Sequence, residues 1–125
     1  MGIVAYGRDL KELFANAAQG LFSQITDIRR VRPRHSRQVA VEAGDTESLL
    51  VDWLNELIFL LDSEGFLGRR FEILEVGDGR LRAQVWGEPV DLDRHQMHVA
   101  VKATTYHQLQ VVQRDGWRAQ VIFDI

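Results

Sequence analysis

Apolar and polar positions recur with two periods along this chain, and the change from one to the other marks its elements. Ile3 to Tyr6 reads as a short strand closed by Gly7. Leu10, Leu13, Phe14, Ala17, Leu21 and Ile25 then follow at helical spacing, one apolar stripe with Lys11, Asn16 and Gln19 off it. Asp9 and Glu12 stand at capping-box spacing, Asp in place of Ser or Thr, which starts that helix at Asp9. Arg37 to Ala43 alternates as a strand. Between Leu49 and Leu61 the apolar residues are too many for one stripe, and Ser48, Asp52, Asn55 and Glu56 form a single narrow polar strip. A helix so patterned is buried on most sides, the expected central helix of the domain. Asp45 is its candidate N-cap, Glu47 sits in its first turn, and Gly65 ends it.

The remainder reads as strands. Arg70 to Val76 and Arg80 to Trp86 flank Gly77-Asp78-Gly79, a hairpin signal that leaves two- and three-residue loops open. Gly87-Glu88-Pro89 is read as a break, and Asp91, Asp93, Arg94 and His95 as a polar loop. His98 to Tyr106 is read as extended, with Val99, Val101 and Ala103 on one side and Lys102 and Thr104 on the other. For the last hairpin, a three-residue Arg114-Asp115-Gly116 loop sets Val111 beside Ala119, Leu109 beside Val121 and His107 beside Phe123. It gathers the apolar residues on one face, whereas a two-residue turn mixes the faces. Tyr106 then comes close to Asp124. The expectation is one α+β domain over residues 1–125, a mainly antiparallel sheet with two helices on one face.

Composition narrows the chemistry. Hydrophobic residues make up 46% of the 125 and charged residues 26%, a globular balance in a chain long enough for its own core. No cysteine is present, which excludes disulfides, thiolate metal sites and a cysteine nucleophile. No apolar run reaches the ~18 residues of a spanning helix. The start has no basic leader or cleavage pattern, so a soluble cytoplasmic protein with no membrane partner is expected. The net charge of −3 lacks the basic excess of most phosphate-gripping proteins, although residues 29–37, RRVRPRHSR, hold five arginines. That segment reads either as a docking surface for RNA or an acidic partner, or as a solvated connection; the second is favoured. His95 and His98 lack the second pair that zinc requires, and the Asp91, Asp93, His95 alternation suits a plain loop better than a cation site. Asp124, next to Ile125 at the chain's end, sets carboxylates side by side, an arrangement that suits Mg²⁺ or Ca²⁺ or else frays in solvent.

Five segments carry a resemblance: GIVAYGRDLKELFANAAQGLF (2–22), LLVDWLNELIFLLDSEGF (49–66), WGEPVDLDRH (86–95), VKATTYH (101–107) and VIFDI (121–125). In this order and over nearly the whole chain they resemble the archease family, accessory proteins of the tRNA-splicing RNA ligase. The resemblance implies an α+β fold with a strand-helix-strand-strand module. It implies an activator rather than an enzyme, whose partner is the ligase and which meets RNA only indirectly. Such a protein helps the ligase acquire guanylate on a histidine and return for further turnovers. It further implies that Asp124 and Ile125 hold a divalent cation, calcium or magnesium, and that Lys102 contacts nucleotide phosphate or the ligase. Tyr106 and His107 are expected to shape the same pocket; His107 reads equally as a structural histidine. Asn55 and Glu56 are expected to order the central helix. The family usually opens with an HTAD-type motif before GI, whose Asp is a metal ligand; here the motif's place is empty before Met1-Gly2-Ile3, and Ala100 stands where members often carry glutamate. Weak cation binding is the consequence expected. Two other functions remain open: a metal-dependent enzyme on a nucleotide or phosphate ester, with Asp124, Asp91 and His95 as ligands, and a general chaperone-like interaction module.

Overall fold

The computed structural model describes residues 1–125. The elements run β1 (Gly2–Gly7), α1 (Leu10–Ile25), a 3₁₀ turn (Ile28–Arg30), β2 (His35–Glu42), α2 (Thr46–Glu64), β3 (Phe66–Gly77), β4 (Arg80–Pro89), β5 (Ala103–Gln113) and β6 (Trp117–Asp124). The strands form two antiparallel three-stranded sheets, β1-β6-β5 and β2-β4-β3. The second sheet with α2 is the expected strand-helix-strand-strand module. The expected sheet is therefore divided in two, and both helices pack on both halves. Helix burial joins them: Leu13, Phe14, Leu21 and Phe22 of α1 and Leu50, Trp53, Leu54 and Leu57 of α2 are almost wholly buried. The Trp53 indole N–H donates to the Phe14 carbonyl at 3.0 Å and so pins one helix to the other.

The helix ends follow the local signals. Asp9 accepts from the Glu12 N–H at 2.8 Å. The Glu12 carboxylate reaches past the cap to the Arg8 N–H and guanidinium, at 3.1 and 2.8 Å. Asp45 caps α2 through the Ser48 N–H at 2.7 Å. Gly65, at φ 66°, closes α2 in the left-handed region that favours glycine. The β3–β4 hairpin takes the two-residue loop: Gly77 pairs with Arg80, and Asp78 and Gly79 both have positive φ, which marks a type I′ turn.

Three expectations are corrected. The Gly87-Glu88-Pro89 break is instead the end of β4, where a Cβ on Gly87 would stand 1.8 Å from the Leu67 carbonyl oxygen. Glycine there permits a close approach within the sheet rather than ending the strand. The extended run begins at Ala103, not His98, and Thr104 rather than Ala103 faces the core, its N–H donating to the Asn55 side-chain Oδ1. The last hairpin has the expected three-residue loop, with Gln113 opposite Trp117 and Val111 opposite Ala119. Three extra residues then bulge from β5 between Thr105 and Gln110, so Thr104, not His107, lies opposite Phe123, and Ala103, not Tyr106, opposite Asp124. Gln108 carries the bulge in the left-handed region (φ 52°), and its carbonyl accepts from the Gln120 amide at 3.1 Å.

Candidate functional site

Phe123 is buried in the core, and the strand alternation that buries it turns Asp124 outward at the end of β6. The Lys102 N–H donates to the Asp124 carbonyl at 2.8 Å, so the two motif residues share one rim of the β1-β6-β5 sheet. Met1 takes the place opposite Phe123, its carbonyl accepting the Phe123 N–H at 2.7 Å. Lys102, Tyr106, His107, Asp124 and Ile125 are all exposed. Neither the Lys102 ammonium nor the Asp124 carboxylate has an ion pair. The rim is thus a set of charged groups with unspent bonding capacity on a backbone held by main-chain bonds.

Two residues behind the rim set its geometry. Asn55, on the polar strip of α2, accepts the Thr104 N–H through Oδ1 at 2.7 Å, two residues from Lys102. The Thr105 hydroxyl donates to the Ile122 carbonyl at 3.0 Å and accepts from the His107 N–H at 3.3 Å, which starts the bulge that displays Tyr106 and His107. Asn55, expected to order the central helix, is instead bonded to the start of β5. Glu56 instead lines a shallow acidic groove with Glu42, Asp52 and Phe59.

Asp124 and Ile125 offer exposed oxygen donors of the kind a hard cation takes, and in that chemical sense they fit one. No group of three or more His, Asp or Glu side chains is arranged to hold a metal. The other ligands considered, Asp91 and His95, are not brought to Asp124. His95 is 2% exposed and both its ring nitrogens are engaged. Nδ1 accepts the Asp91 N–H at 2.9 Å, so Nε2 carries the proton and donates to Glu88 at 3.0 Å. Asp91 accepts from the Asp93 N–H and the Arg94 guanidinium.

Glu88 is the residue that local patterning hid. Its carboxylate is buried and accepts from Arg94 at 2.7 Å, the Arg32 N–H at 2.8 Å and His95. Burial alone pushes the carboxyl up, but the bonds from Arg94, Arg32 and His95 and the Arg94 charge outweigh it and hold it at about 2. The polar loop expected at 91–95 is a closed network tying the 31–34 segment to β4. The only sequence sign of it was the WGEPVDLDRH motif itself, which holds Arg94 and His95; the third partner, the Arg32 N–H, lies 56 residues away.

Comparison with known proteins agrees with this fold. The model of the archease protein family (MTH1598/TM1083) matches residues 1–125. A protein archease of Thermococcus gammatolerans is 41% identical over 130 residues, covering all of this chain and 92% of its own. One from Methanosarcina barkeri is 37% identical over 126 residues, covering 97% and 86%. Among solved structures, protein 1598 of Methanobacterium thermoautotrophicum superposes with a TM-score of 0.82 at 35% identity, over 99% of this chain and 91% of its own. A Thermotoga maritima protein described as an archease and possible chaperone superposes at 0.68 with 20% identity, over 100% and 90%, a likeness of fold. The chain belongs to the archease family.

Proposed function

We propose that this protein is an accessory activator of the tRNA-splicing RNA ligase, promoting guanylylation of the ligase histidine and its repeated turnover, and that it donates no covalent group itself. The observation that carries the reading is the match to the archease family over the whole chain, with the motif residues Lys102 and Asp124 gathered on one open rim. On this account the rim docks beside the ligase nucleotide site. Lys102 places a mobile positive charge against nucleotide phosphate, and its value rises as docking excludes water. Asn55, through Thr104, and the Thr105 bulge hold the rim in register, which lowers the ordering cost of docking. Asp124 and the oxygens of Ile125 are the groups that would hold a calcium or magnesium ion. Such an ion would add fixed positive charge that draws phosphate oxygens.

The test is a multiple-turnover ligation assay with ligase, GTP and RNA bearing a 2′,3′-cyclic phosphate. Added protein raises the number of turnovers, and Lys102→Ala removes most of the gain while thermal unfolding stays unchanged. Turnover that does not respond to the protein rejects the assignment. A chaperone-like module is the second reading, supported by the description of the Thermotoga relative and by Phe59, 59% exposed on α2. It predicts reduced aggregation of unrelated unfolded proteins, lost on Phe59→Ser.

A further inference from the structure

The arginine-rich segment 29–37 does not behave as a loose solvated connection. The Arg32 N–H is bonded to Glu88, the Arg34 N–H to the Gly87 carbonyl at 3.1 Å, and His35 pairs opposite Gly87. β3 reaches the same place from the other side: Gly68 pairs with Gly87 and Arg70 with Trp86, and Arg69 is the extra residue of a bulge between them. The Arg70 guanidinium lies over the Trp86 ring, 4.9 Å from its centroid. The backbone of Arg32, Arg34, Arg69 and Arg70 is thus held around Trp86, Gly87 and Glu88, the Arg70 side chain touches Trp86, and none of the four forms an ion pair. By contrast Arg29 and Arg37 are neutralised by Asp27 and Glu64. Glu88, the acidic residue nearest the cluster in sequence and space, is consumed inside the fold. Glu72, opposite Gln84, is an acidic neighbour on this face of the sheet, and Glu75, opposite Arg82, forms an ion pair with that arginine.

We infer that the face of the β2-β4-β3 sheet around Trp86, at the end of β4 near Gly87, is a binding surface for single-stranded RNA. Four unpaired guanidinium groups on a fixed backbone, in a chain of net charge −3, concentrate positive charge where phosphates can be met. Trp86 and the guanidinium stacked on it provide a flat platform for an unpaired base, since bases stack on both aromatic rings and arginine planes. Ser36, opposite Trp86, and Gln84, whose amide bonds the Ser36 hydroxyl at 3.3 Å, add neutral donors and acceptors suited to 2′-hydroxyls and base edges. An acidic peptide would satisfy the arginines but leave the stacking platform and these polar groups unused. The surface is separate from the Lys102–Asp124 rim, which lies on the other sheet, so the inference does not depend on ligase activation.

Fluorescence anisotropy with a labelled, unstructured RNA oligonucleotide and the isolated full chain tests it. Binding is expected at low salt, with log K against log[salt] falling at a slope of about −2 to −3, as for three or four phosphates at ~0.7 each. Arg32→Glu with Arg34→Glu should weaken it by roughly ten-fold or more and flatten the slope, and Trp86→Leu should weaken it with the slope unchanged. Arg114→Glu with Arg118→Glu, on the other sheet, should bind as the parent does. Circular dichroism and thermal unfolding identify any variant that fails to fold, and Arg70→Gln on the exposed face then replaces it. No binding at low salt, equal loss in the Arg114/Arg118 variant, equal affinity for polyglutamate, or tighter binding of DNA of the same sequence would each overturn the inference.

Discussion

The Lys102–Asp124 rim and the Glu88 network are both polar, both carry motif residues, and both attract attention in the sequence as candidate sites. They differ in what their polar groups have left to do. In the network every bond of Glu88 and both ring nitrogens of His95 are used, in a buried setting where an unpaired group would be costly. On the rim, main-chain bonds hold the residues in place while the ammonium and carboxylate stay open. Residue type and spacing draw the eye to both places. Only hydrogen-bond satisfaction separates structural chemistry from chemistry available to a partner.

The sharpest way to break this comparison is to exchange the roles by mutation. Glu88→Ala strands Arg94, His95 and the Arg32 N–H, and should destabilise by about 3–5 kcal/mol in denaturant unfolding. Asp124→Ala on the exposed rim should stay within ~0.5 kcal/mol. Equal losses would erase the distinction. Acid provides the same contrast without mutation. The Glu88 carboxyl is held below its ordinary value, at about 2. The unfolded chain therefore binds the extra proton first, and stability rises with pH across that interval. The contribution is complete above the ordinary glutamate value of about 4.5 and is lost as pH falls toward 2. Glu88→Gln should flatten this part of the stability–pH curve.

A smaller effect concerns the link between core and rim. Asn55→Ala leaves the Thr104 N–H without its acceptor and should cost about 1–3 kcal/mol. Because Thr104 sits two residues from Lys102, ligase activation should fall with it. Asn55→Asp keeps an acceptor and should retain most of both. Smallest of all, Gln108→Gly relieves a left-handed non-glycine residue and should change stability by no more than ~1 kcal/mol. A large loss there would show that the Gln120 bond, rather than backbone freedom, maintains the bulge.

What was legible in the sequence follows the range of the interactions. The caps at Asp9 and Asp45, the stop at Gly65 and the crowded apolar pattern of α2 depend on neighbours within a turn or two, and they were read correctly. The register at Val111 and Ala119 was legible because a short loop and an apolar face dictate it together. Beyond Gln110 the same register was carried too far: a bulge closed by Gln120 from the facing strand leaves no periodic signature. Glu88 was misread for a related reason. Glycine and proline on either side look like a break until Gly87 is seen against Leu67, and until the distant Arg32 N–H supplies a partner. Lys102 was singled out through the family motifs and Asp124 first through its place beside Ile125, and no local pattern would have joined the two.

The central claim, that the open rim acts on the ligase, is tested most directly by single-turnover transfer of labelled guanylate from GTP to the ligase. With the parent protein present the rate of label incorporation should rise. With Lys102→Ala, folded and equally stable, it should return to that of ligase alone, while Arg118→Ala, at the far end of the same sheet, keeps the gain. A Lys102→Ala protein that accelerates guanylylation as fully as its parent would contradict the account.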